Sequence, residues 1–375
     1  MMGWEVPDDR EKPPCPYVIG FKFEPRPWEQ YRQILNFTQT RYCVRDLRPD
    51  EPSRPATPVN GADGGGGAKK PTATAKSYVS SSSCGNSPTR TTPVSAPRRS
   101  LIIDSLIRSG DQAGAQVVTC YWEDDARKTI YVVKIYNPLY YSFEEADHPG
   151  MPTDVVWNAA RDYSIEAAAY QQLRAYETSW AGTTLRDESK NIHGCYPAFF
   201  GCFYTTLKLV CSGNTYTRIV PLILTEHFQS SMASQTVVVK TRNNPTNGWA
   251  KIRVVELPGT EDFRIHAFAR AASAFMRLTM AGVGQGDFAP RNIFLVGNRP
   301  DSANDFRAVI GDFNVAKIFP LMTPKRNPPA TMDPISFCED SSWEDRFHDW
   351  LPQWFFTDKE KRRACLRKEF PSSKP

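Results

Sequence analysis

The chain has 375 residues, a formal net charge of +5 and nine cysteines. This length provides for one main domain of about 260 residues with extensions. No apolar run is long enough to cross a bilayer, and residues 1–10 lack the basic region and apolar core of a secretory signal. The cysteines include no pair at metal-ligand spacing. We therefore expect a soluble protein with reduced thiols, cytoplasmic or nuclear, and no membrane partner.

Residues 1–47 form an aromatic-rich N-terminal extension. The spacing over Pro27–Leu35 predicts a short helix with Trp28, Tyr31 and Leu35 on one face. Because such a face must be covered, we expect this face to dock on the main domain. Residues 48–100 differ sharply: from Arg48 to Ser100 there is no Leu, Ile, Phe or Trp, and there are eight Pro. This composition predicts a disordered linker.

The main domain begins where apolar residues return, at Leu101. The segment 106–118 reads as strand, small-residue turn and strand, with Gly110 and Gly114 in the turn. Two glycines spaced by four are by themselves a weak phosphate-loop signal. The next run, 128–136, predicts a strand with Lys134 inside it. A lysine in such a strand needs a partner if it is buried, although edge strands also carry lysine as protection against pairing.

A helix is predicted from about Thr153, with Asp154 in its first turn and Glu166 further along. Glu166 has the alternative interpretation of a solvated helix position. After it come a strand ending in Glu226, His227 and Phe228, and a hairpin over residues 230–259. A second helix is predicted over residues 262–281, beginning at Thr260.

The most informative pattern combines Asp287, Asn292 and Asp312. Asp287 stands five residues before Asn292; an apolar strand, a turn-rich gap and a second strand then lead to Asp312, twenty residues after Asn292. This spacing places three oxygen ligands around the base of one hairpin. Taken singly, Asp287 and Asp312 are more often turn or capping residues. Together they suit phosphoryl transfer, in which one carboxylate orients a hydroxyl and the others hold a divalent cation.

The pattern resembles the catalytic loop and metal-binding Asp of the protein-kinase-like superfamily, which includes protein kinases, aminoglycoside phosphotransferases and small fungal kinase-like proteins. The resemblance implies an α+β, two-lobed protein-kinase-like fold. Its N-lobe and hinge, residues 101–228, would hold an antiparallel sheet. Its C-lobe, residues 229–356, would be reduced and mainly helical, because only 63 residues follow Asp312 and no Ala-Pro-Glu sequence ends an activation segment.

The same resemblance implies the roles of individual residues, with ATP and Mg²⁺ as cofactors. Asp287 is the expected catalytic residue, and Lys134 the expected phosphate-binding lysine. Glu166, rather than Glu177 near the helix end, is the expected partner of Lys134. Asn292 and Asp312 are the expected metal ligands. The remaining nucleotide contacts are assigned to Gly110 and Gly114 in the loop that covers the phosphates, and to the backbone of Glu226, His227 and Phe228 beside the adenine.

Two positions depart from the family pattern. Gln285 replaces the usual His before the catalytic Asp, and Asn314 replaces the Gly of the Asp-Phe-Gly triplet. The Gly286-Asp287 pair is similar to the phosphotransferase branch, whereas Ala289 and Arg291 are similar to the tyrosine-kinase loop, so the branch stays open. Near the C-terminus, the aromatic cluster 343–356 predicts a core-sealing helix or the wall of a substrate pocket, and residues 357–375 form a basic tail, most simply a solvated face.

The sequence therefore predicts an ATP- and Mg²⁺-dependent phosphotransferase that acts on a hydroxyl of a protein or a small molecule. The alternative is a pseudokinase, a nucleotide-binding or scaffold module without turnover. Gln285, Asn314, the sparse glycines and the short C-lobe favour that alternative. It is opposed by the retention of all five residues to which the resemblance assigns a chemical role: Lys134, Glu166, Asp287, Asn292 and Asp312. A nucleic-acid partner is not expected, because it would rest on composition alone.

Overall fold

The computed structural model describes residues 15–27, 99–109, 114–142, 144–145, 148–180, 191–211, 214–229, 237–240, 252–256, 259–297, 306–322, 326–340 and 343–371. Residues 48–98 of the predicted linker lie outside these ranges, as do residues 28–35 of the predicted N-terminal helix and Gly110. The described part mixes helices with antiparallel sheet, and is of the α+β class.

A seven-stranded antiparallel sheet in the order β1-β3-β4-β5-β9-β8-β2 is the largest element. Its strands are β1 (Lys22–Phe23), β2 (Arg26–Pro27), β3 (Leu101–Arg108), β4 (Gln116–Trp122), β5 (Tyr131–Ile135), β8 (Phe199–Cys211) and β9 (Asn214–Glu226). The β-branched and aromatic residues of these strands alternate into a common core that includes Val118, Val133 and Leu222. Strand β5 is shorter than the predicted 128–136, and Lys128, which has a positive φ of 49°, belongs to the turn that precedes it.

The two edges of this sheet are both formed by the N-terminal segment. β1 pairs with β3 at one edge and β2 pairs with β8 at the other, yet only Glu24 and Pro25 separate β1 from β2. So short a connection spans about 10 Å, so the sheet must curl until its edges nearly meet. Tyr17 and Phe23 are buried in its core. Residues 15–27 of the extension pack on this sheet, and Pro27 lies in a strand and does not begin a helix. The face of Trp28, Tyr31 and Leu35, for which docking was predicted, lies outside the described residues.

Helix α1 (Val155–Trp180) carries Glu166. Asp154 lies just before it and caps it, since its carboxylate accepts the N–H groups of Val156 and Trp157. Helix α2 (Glu261–Met280) is capped by Thr260, and its bounds confirm the predicted helix to within one residue at each end. Its apolar face buries Ile265, Phe268, Ala272, Met276 and Leu278, and Phe275 is half-buried.

Four further strand pairs are present, all antiparallel: β6 (Glu144–Glu145) with β7 (His148–Pro152), β10 (Val237–Lys240) with β11 (Ile252–Glu256), β12 (Val283–Gly284) with β15 (Lys317–Ile318), and β13 (Ile293–Gly297) with β14 (Phe306–Ile310). The β10–β11 pair confirms the predicted strands of the 230–259 hairpin. The β13–β14 hairpin confirms that one hairpin base joins Asn292 to Asp312.

The C-terminal part contains the short helices α3 (Pro334–Cys338), α4 (Glu344–Phe347) and α5 (Gln353–Thr357), followed by α6 (Lys359–Glu369). Phe347 and Phe355 pack on Phe268 of α2, so the aromatic cluster seals a core as predicted. It does so as two short helices instead of one, with Pro352 as the residue before α5. The basic tail is a docked helix and not wholly a solvated face, because Leu366 is buried and Arg363 pairs with Glu339.

No helix in the part of the chain described here combines the length and apolar character needed to cross a membrane.

Candidate functional site

Lys134 lies at the centre of a buried ionic triad. Its ammonium Nζ donates to both carboxylate oxygens of Glu166, at 2.7 and 2.9 Å, and to Oδ1 of Asp312 at 2.7 Å. Strand β5 supplies the lysine, helix α1 supplies Glu166 and the residues after β14 supply Asp312. The predicted ion pair between Lys134 and Glu166 is present. Glu177 contacts His193 and Tyr196 instead, and so is not the partner of Lys134.

The protonation of the triad follows from burial and mutual attraction. Burial lowers the pKa of Lys134, but the two neighbouring carboxylates outweigh this effect and the pKa is raised overall. Burial also favours the neutral form of Asp312, but the Lys134 charge and hydrogen bond hold its pKa below the usual value. The pKa of Glu166 is raised by its burial, against the opposing effect of Lys134. The site therefore keeps its lysine charged next to an ionised Asp312.

Tyr136 is a member of this site that the sequence analysis missed. Its hydroxyl donates to Oε2 of Glu166 at 2.6 Å, so Glu166 is held by Lys134 and Tyr136 together. Burial, followed by the charge of Glu166, raises the pKa of Tyr136 well above its usual value, which keeps the hydroxyl protonated as a donor. The signal was available, because residues two apart in an extended chain share one face, and Tyr136 follows Lys134 by two.

Gln285 braces the loop before Asp287. This side chain is fully buried; its Nε2 donates to the carbonyls of Gly311 and Asp312 at 3.1 and 3.0 Å, and its Oε1 accepts the N–H of Asp287 at 2.8 Å. One amide therefore ties the Asp287 loop to the backbone of the Asp312 segment. Gln285 stands where the family usually has His, and this single side chain forms three hydrogen bonds.

Asp287 lies three residues before a short 3-10 helix (Pro290–Asn292), and Asn292 is the last residue of that helix. The Asn292 amide Nδ2 donates to the carbonyl oxygen and to Oδ2 of Asp287, both at 2.8 Å. Arg291 Nη2 donates to Oδ1 and Oδ2 of Asp287 at 2.8 and 2.7 Å. Arg346, from α4, places Nη1 3.7 Å from Oδ1. The two arginine contacts were not foreseen from the sequence.

The segment after Asp312 is held against the Asp287 loop. Gly286 has a φ of +84°, and a Cβ added there would overlap the carbonyl oxygen of Val315. Asp312 itself has a left-handed backbone, with φ 57°. Phe313 is buried and packs edge-on against Tyr170 of α1 at a centroid distance of 5.2 Å. This packing links the position of Asp312 to the helix that carries Glu166.

The predicted nucleotide contacts outside the triad are only partly brought together. The N–H of Glu226 donates to the carbonyl of Ala198, and its carboxylate accepts from Ala198 N and Arg307. These bonds fix the end of β9 to the residues before β8 and to β14. Phe228 packs on Phe294 at 5.1 Å. At Gly114 an added Cβ would meet Tyr141 at an ordinary 3.8 Å, so packing does not require glycine there. No described contact assigns His227 a role.

The candidate metal ligands are the carboxylate of Asp312 and the side-chain oxygen of Asn292. Within the described ranges, no group of three or more His, Cys, Asp or Glu side chains is arranged to hold a metal ion. This sparse oxygen set suits Mg²⁺, which usually keeps several waters and binds one or two carboxylates plus phosphate oxygens instead of a complete protein cage. It does not suit zinc, whose structural sites need four nitrogen or sulfur ligands.

No protein-family model and no curated protein matches this chain. Among solved structures, the chain is similar to the crystal structure of the BubR1 kinase domain, with a TM-score of 0.35 and 14% sequence identity. The similarity covers 61% of this chain and 51% of that chain, so the chain spans about half the length of that structure. At this TM-score we base no conclusion on the similarity.

Proposed function

We propose that this chain binds ATP with Mg²⁺ on a two-lobed, protein-kinase-like fold and transfers the γ-phosphoryl group to a hydroxyl acceptor. One observation carries the proposal: Lys134 joins Glu166 and Asp312 in a single buried triad, although the three residues come from distant parts of the sequence. An ordinary surface ion pair is worth little and needs no burial, whereas a buried lysine with two carboxylates is costly to assemble. Clusters of buried ionisable residues with shifted pKa values are candidates for functional sites.

In this proposal, Glu166 and Tyr136 orient Lys134, and the lysine binds the nucleotide phosphates. Asp312 and Asn292 hold Mg²⁺, which neutralises charge that develops on the phosphates. Asp287 orients the attacking hydroxyl and accepts its proton. Gln285 fixes the position of the Asp287 loop relative to the Asp312 segment, because its side chain hydrogen-bonds to the backbone of both. The acceptor is a protein or a small molecule, and the proposed location is the cytoplasm or the nucleus.

A second candidate function is a nucleotide-binding scaffold without turnover. The observation that favours it is the engagement of Asp287, whose two oxygens already accept bonds from Arg291 and Asn292. A base that is held in this way must exchange a partner before it can receive a proton from an acceptor. Asn314, in place of the usual Gly, points in the same direction.

The substitutions Asp287→Asn and Asp312→Ala separate the two functions. We expect Asp312→Ala to abolish the Mg²⁺-dependent part of the thermal shift caused by ATP, because a hard cation loses its carboxylate ligand. We expect Asp287→Asn to leave that shift nearly intact and to lower ATP turnover by about a hundredfold to ten-thousandfold. Thermal-shift titration and ATP consumption with a broad acceptor panel measure both.

Equal shifts with and without Mg²⁺, or in wild type and Asp312→Ala, would contradict nucleotide binding of the proposed kind. If wild type binds Mg²⁺ and ATP but consumes ATP no faster than Asp287→Asn, the scaffold function replaces the enzyme. Arg367→Gln is the control for both measurements, since Arg367 is exposed on α6 and lies outside the site.

A further inference from the structure

Two arginines from distant parts of the chain converge on Asp287. Arg291 bonds both carboxylate oxygens, and Arg346 lies within ion-pair distance of Oδ1. Both guanidinium groups remain accessible, with side-chain exposures of 66% for Arg291 and 39% for Arg346, whereas Asp287 is 27% exposed. The cluster of two cations and one anion has an excess positive charge. It is partly exposed to solvent at Asp287, the proposed general base.

The position of Arg346 is fixed by its neighbours. Phe347 packs on Phe288 at a centroid distance of 5.3 Å, and Trp343 packs on the same ring at 5.3 Å. Phe288 is the residue directly after Asp287 and is itself buried. The aromatic cluster therefore does more than seal a core, because it delivers a cation from the C-terminal part of the chain to the Asp287 carboxylate.

The hydrogen bonds of Asp287 limit what can bind there. Each carboxylate oxygen has about two lone-pair sites. Oδ2 already accepts from Arg291 and from Asn292, and Oδ1 accepts from Arg291 with Arg346 nearby. An acceptor hydroxyl gains full access to Asp287 once Arg291 has another anion to bind. Glu344 and Asp345, the acids next to Arg346 in sequence, form no ion pair with either arginine within the described ranges.

We propose that Arg291 and Arg346 bind an anionic group, a phosphate or a carboxylate, that the acceptor carries close to its reacting hydroxyl. Guanidinium groups bind such planar or tetrahedral oxyanions with paired hydrogen bonds. Binding draws Arg291 away from Asp287 and so frees the carboxylate for the hydroxyl. The transfer step rests on the proposed function: the acceptor oxygen bonds to the γ-phosphorus, the bond from that phosphorus to the β–γ bridging oxygen breaks, ADP leaves and Asp287 takes the hydroxyl proton.

The anion site is tested first without nucleotide, by calorimetric titration of the full chain with inorganic phosphate. We expect wild type and the control Arg367→Gln to bind phosphate equally. We expect Arg291→Gln and Arg346→Gln to bind phosphate at least about tenfold more weakly. Asp287→Asn should bind it several-fold more tightly, because the competing carboxylate is gone. A purely structural role of the arginines would not produce this increase. No binding by wild type, or equal binding by wild type and both arginine variants, overturns the proposal.

The acceptor is tested next with matched compounds, in the presence of ATP and Mg²⁺. Glycerol 3-phosphate is compared with glycerol, and a Ser peptide flanked by Glu with the same peptide flanked by Lys. We expect the anionic member of at least one pair to be consumed faster, and Arg291→Gln to remove this preference. Which pair responds distinguishes a small molecule from an acidic protein segment.

Faster use of the neutral or cationic member overturns the acceptor assignment. If wild type binds ATP with Mg²⁺ but turns over none of the four compounds, the acceptor assignment is overturned, and the phosphate titration decides the anion site by itself. A phosphate site lost in both arginine variants, in a chain that shows no Mg²⁺-dependent ATP binding, would mean that the proposed function fails while the anion site stands.

Discussion

Lys134 is a buried cation whose charge is balanced by two carboxylates, and its neighbours cannot be removed one at a time without cost. Breaking a buried pair by deleting one partner costs about 3–5 kcal/mol, whereas replacing the whole pair by apolar residues is often nearly neutral. In this triad Asp312 still contacts Lys134 when Glu166 is lost, so the cost falls toward the lower end of that range.

We therefore expect Glu166→Ala to lower the free energy of unfolding by about 3 kcal/mol and to weaken nucleotide binding. The double variant Lys134→Met/Glu166→Leu should unfold less easily than Glu166→Ala, because it removes the buried lysine charge altogether, and Asp312, which loses Lys134, has a side chain that is 27% exposed to water. Denaturant unfolding of the two variants and wild type gives the comparison. A double variant that is the least stable of the three would show that the triad is stabilised in another way.

The two ends of the Gln285 amide have different hydrogen-bonding roles. Its Nε2 faces two carbonyls and its Oε1 faces an N–H, all buried. Gln285→Glu has the same shape but turns the Nε2 donor into an acceptor against two carbonyl oxygens. We expect a loss of about 3 kcal/mol or more for Glu, and a smaller loss for His, which can donate to one carbonyl and accept from Asp287. Thermal unfolding at neutral pH measures both, and equal stability of the Glu and Gln proteins would contradict this assignment.

At the scale of elements, the loop between β12 and β13 is locked against the segment that leads into β15. Gly286 allows the contact, since its φ is +84° and the carbonyl of Val315 occupies the space of a Cβ. Gly20 provides a matched control: its φ is +83°, but an added Cβ there meets nothing within 4 Å. The two glycines therefore share a left-handed backbone, which would strain any residue that has a Cβ, and they differ in steric room.

We expect Gly20→Ala to cost about 1–2 kcal/mol of stability, the strain of a left-handed backbone. Gly286→Ala should cost clearly more, by about 2 kcal/mol, because the loop must also move away from Val315. It should also reduce turnover, since Asp287 follows directly. Chemical denaturation of the two variants tests the difference. Equal losses would mean that the loop adjusts freely and is not locked.

At the scale of the whole described unit, the N-terminal segment closes the curled sheet. Tyr17 is buried in the sheet core, and its hydroxyl accepts from the Asn137 amide at 3.0 Å. Asn137 is the residue after Tyr136, which holds Glu166. The N-terminal segment is therefore connected to the ionic triad through the adjacent residues Tyr136 and Asn137. We infer that it stabilises the part of the sheet that carries the triad.

We expect Tyr17→Ala to destabilise the protein by about 3–5 kcal/mol, the usual cost of removing a buried aromatic ring. Val18→Ala, at the adjoining exposed position, should change stability by less than about 0.5 kcal/mol. Denaturant midpoints of the two variants measure the contrast. A Tyr17→Ala protein as stable as Val18→Ala would mean that the segment rests on the sheet without sealing it.

Much of the fold was predictable from local patterns. The capped helix α2, the β13–β14 hairpin and the strand that carries Lys134 follow from periodicity, capping residues and β-branched runs, which act over short stretches of chain. The pairing of Lys134 with Glu166 was predictable only by resemblance, because the helix had several acids and no local signal of which one faces the lysine. The contacts of Arg291 and Arg346 with Asp287 were not predicted.

The sequence by itself determined which elements form and which residue types are present for chemistry: a lysine in a strand, an acid in a helix, and Asp287, Asn292 and Asp312 around one hairpin. Only the tertiary structure decided that β1 and β2 occupy opposite edges of one sheet, that Tyr136 supports Glu166, and that Arg346 reaches Asp287. The physical reason is that helix caps and strand periodicity depend on neighbours a few residues apart. Edge pairing and buried ion clusters depend instead on packing between segments that the chain separates widely.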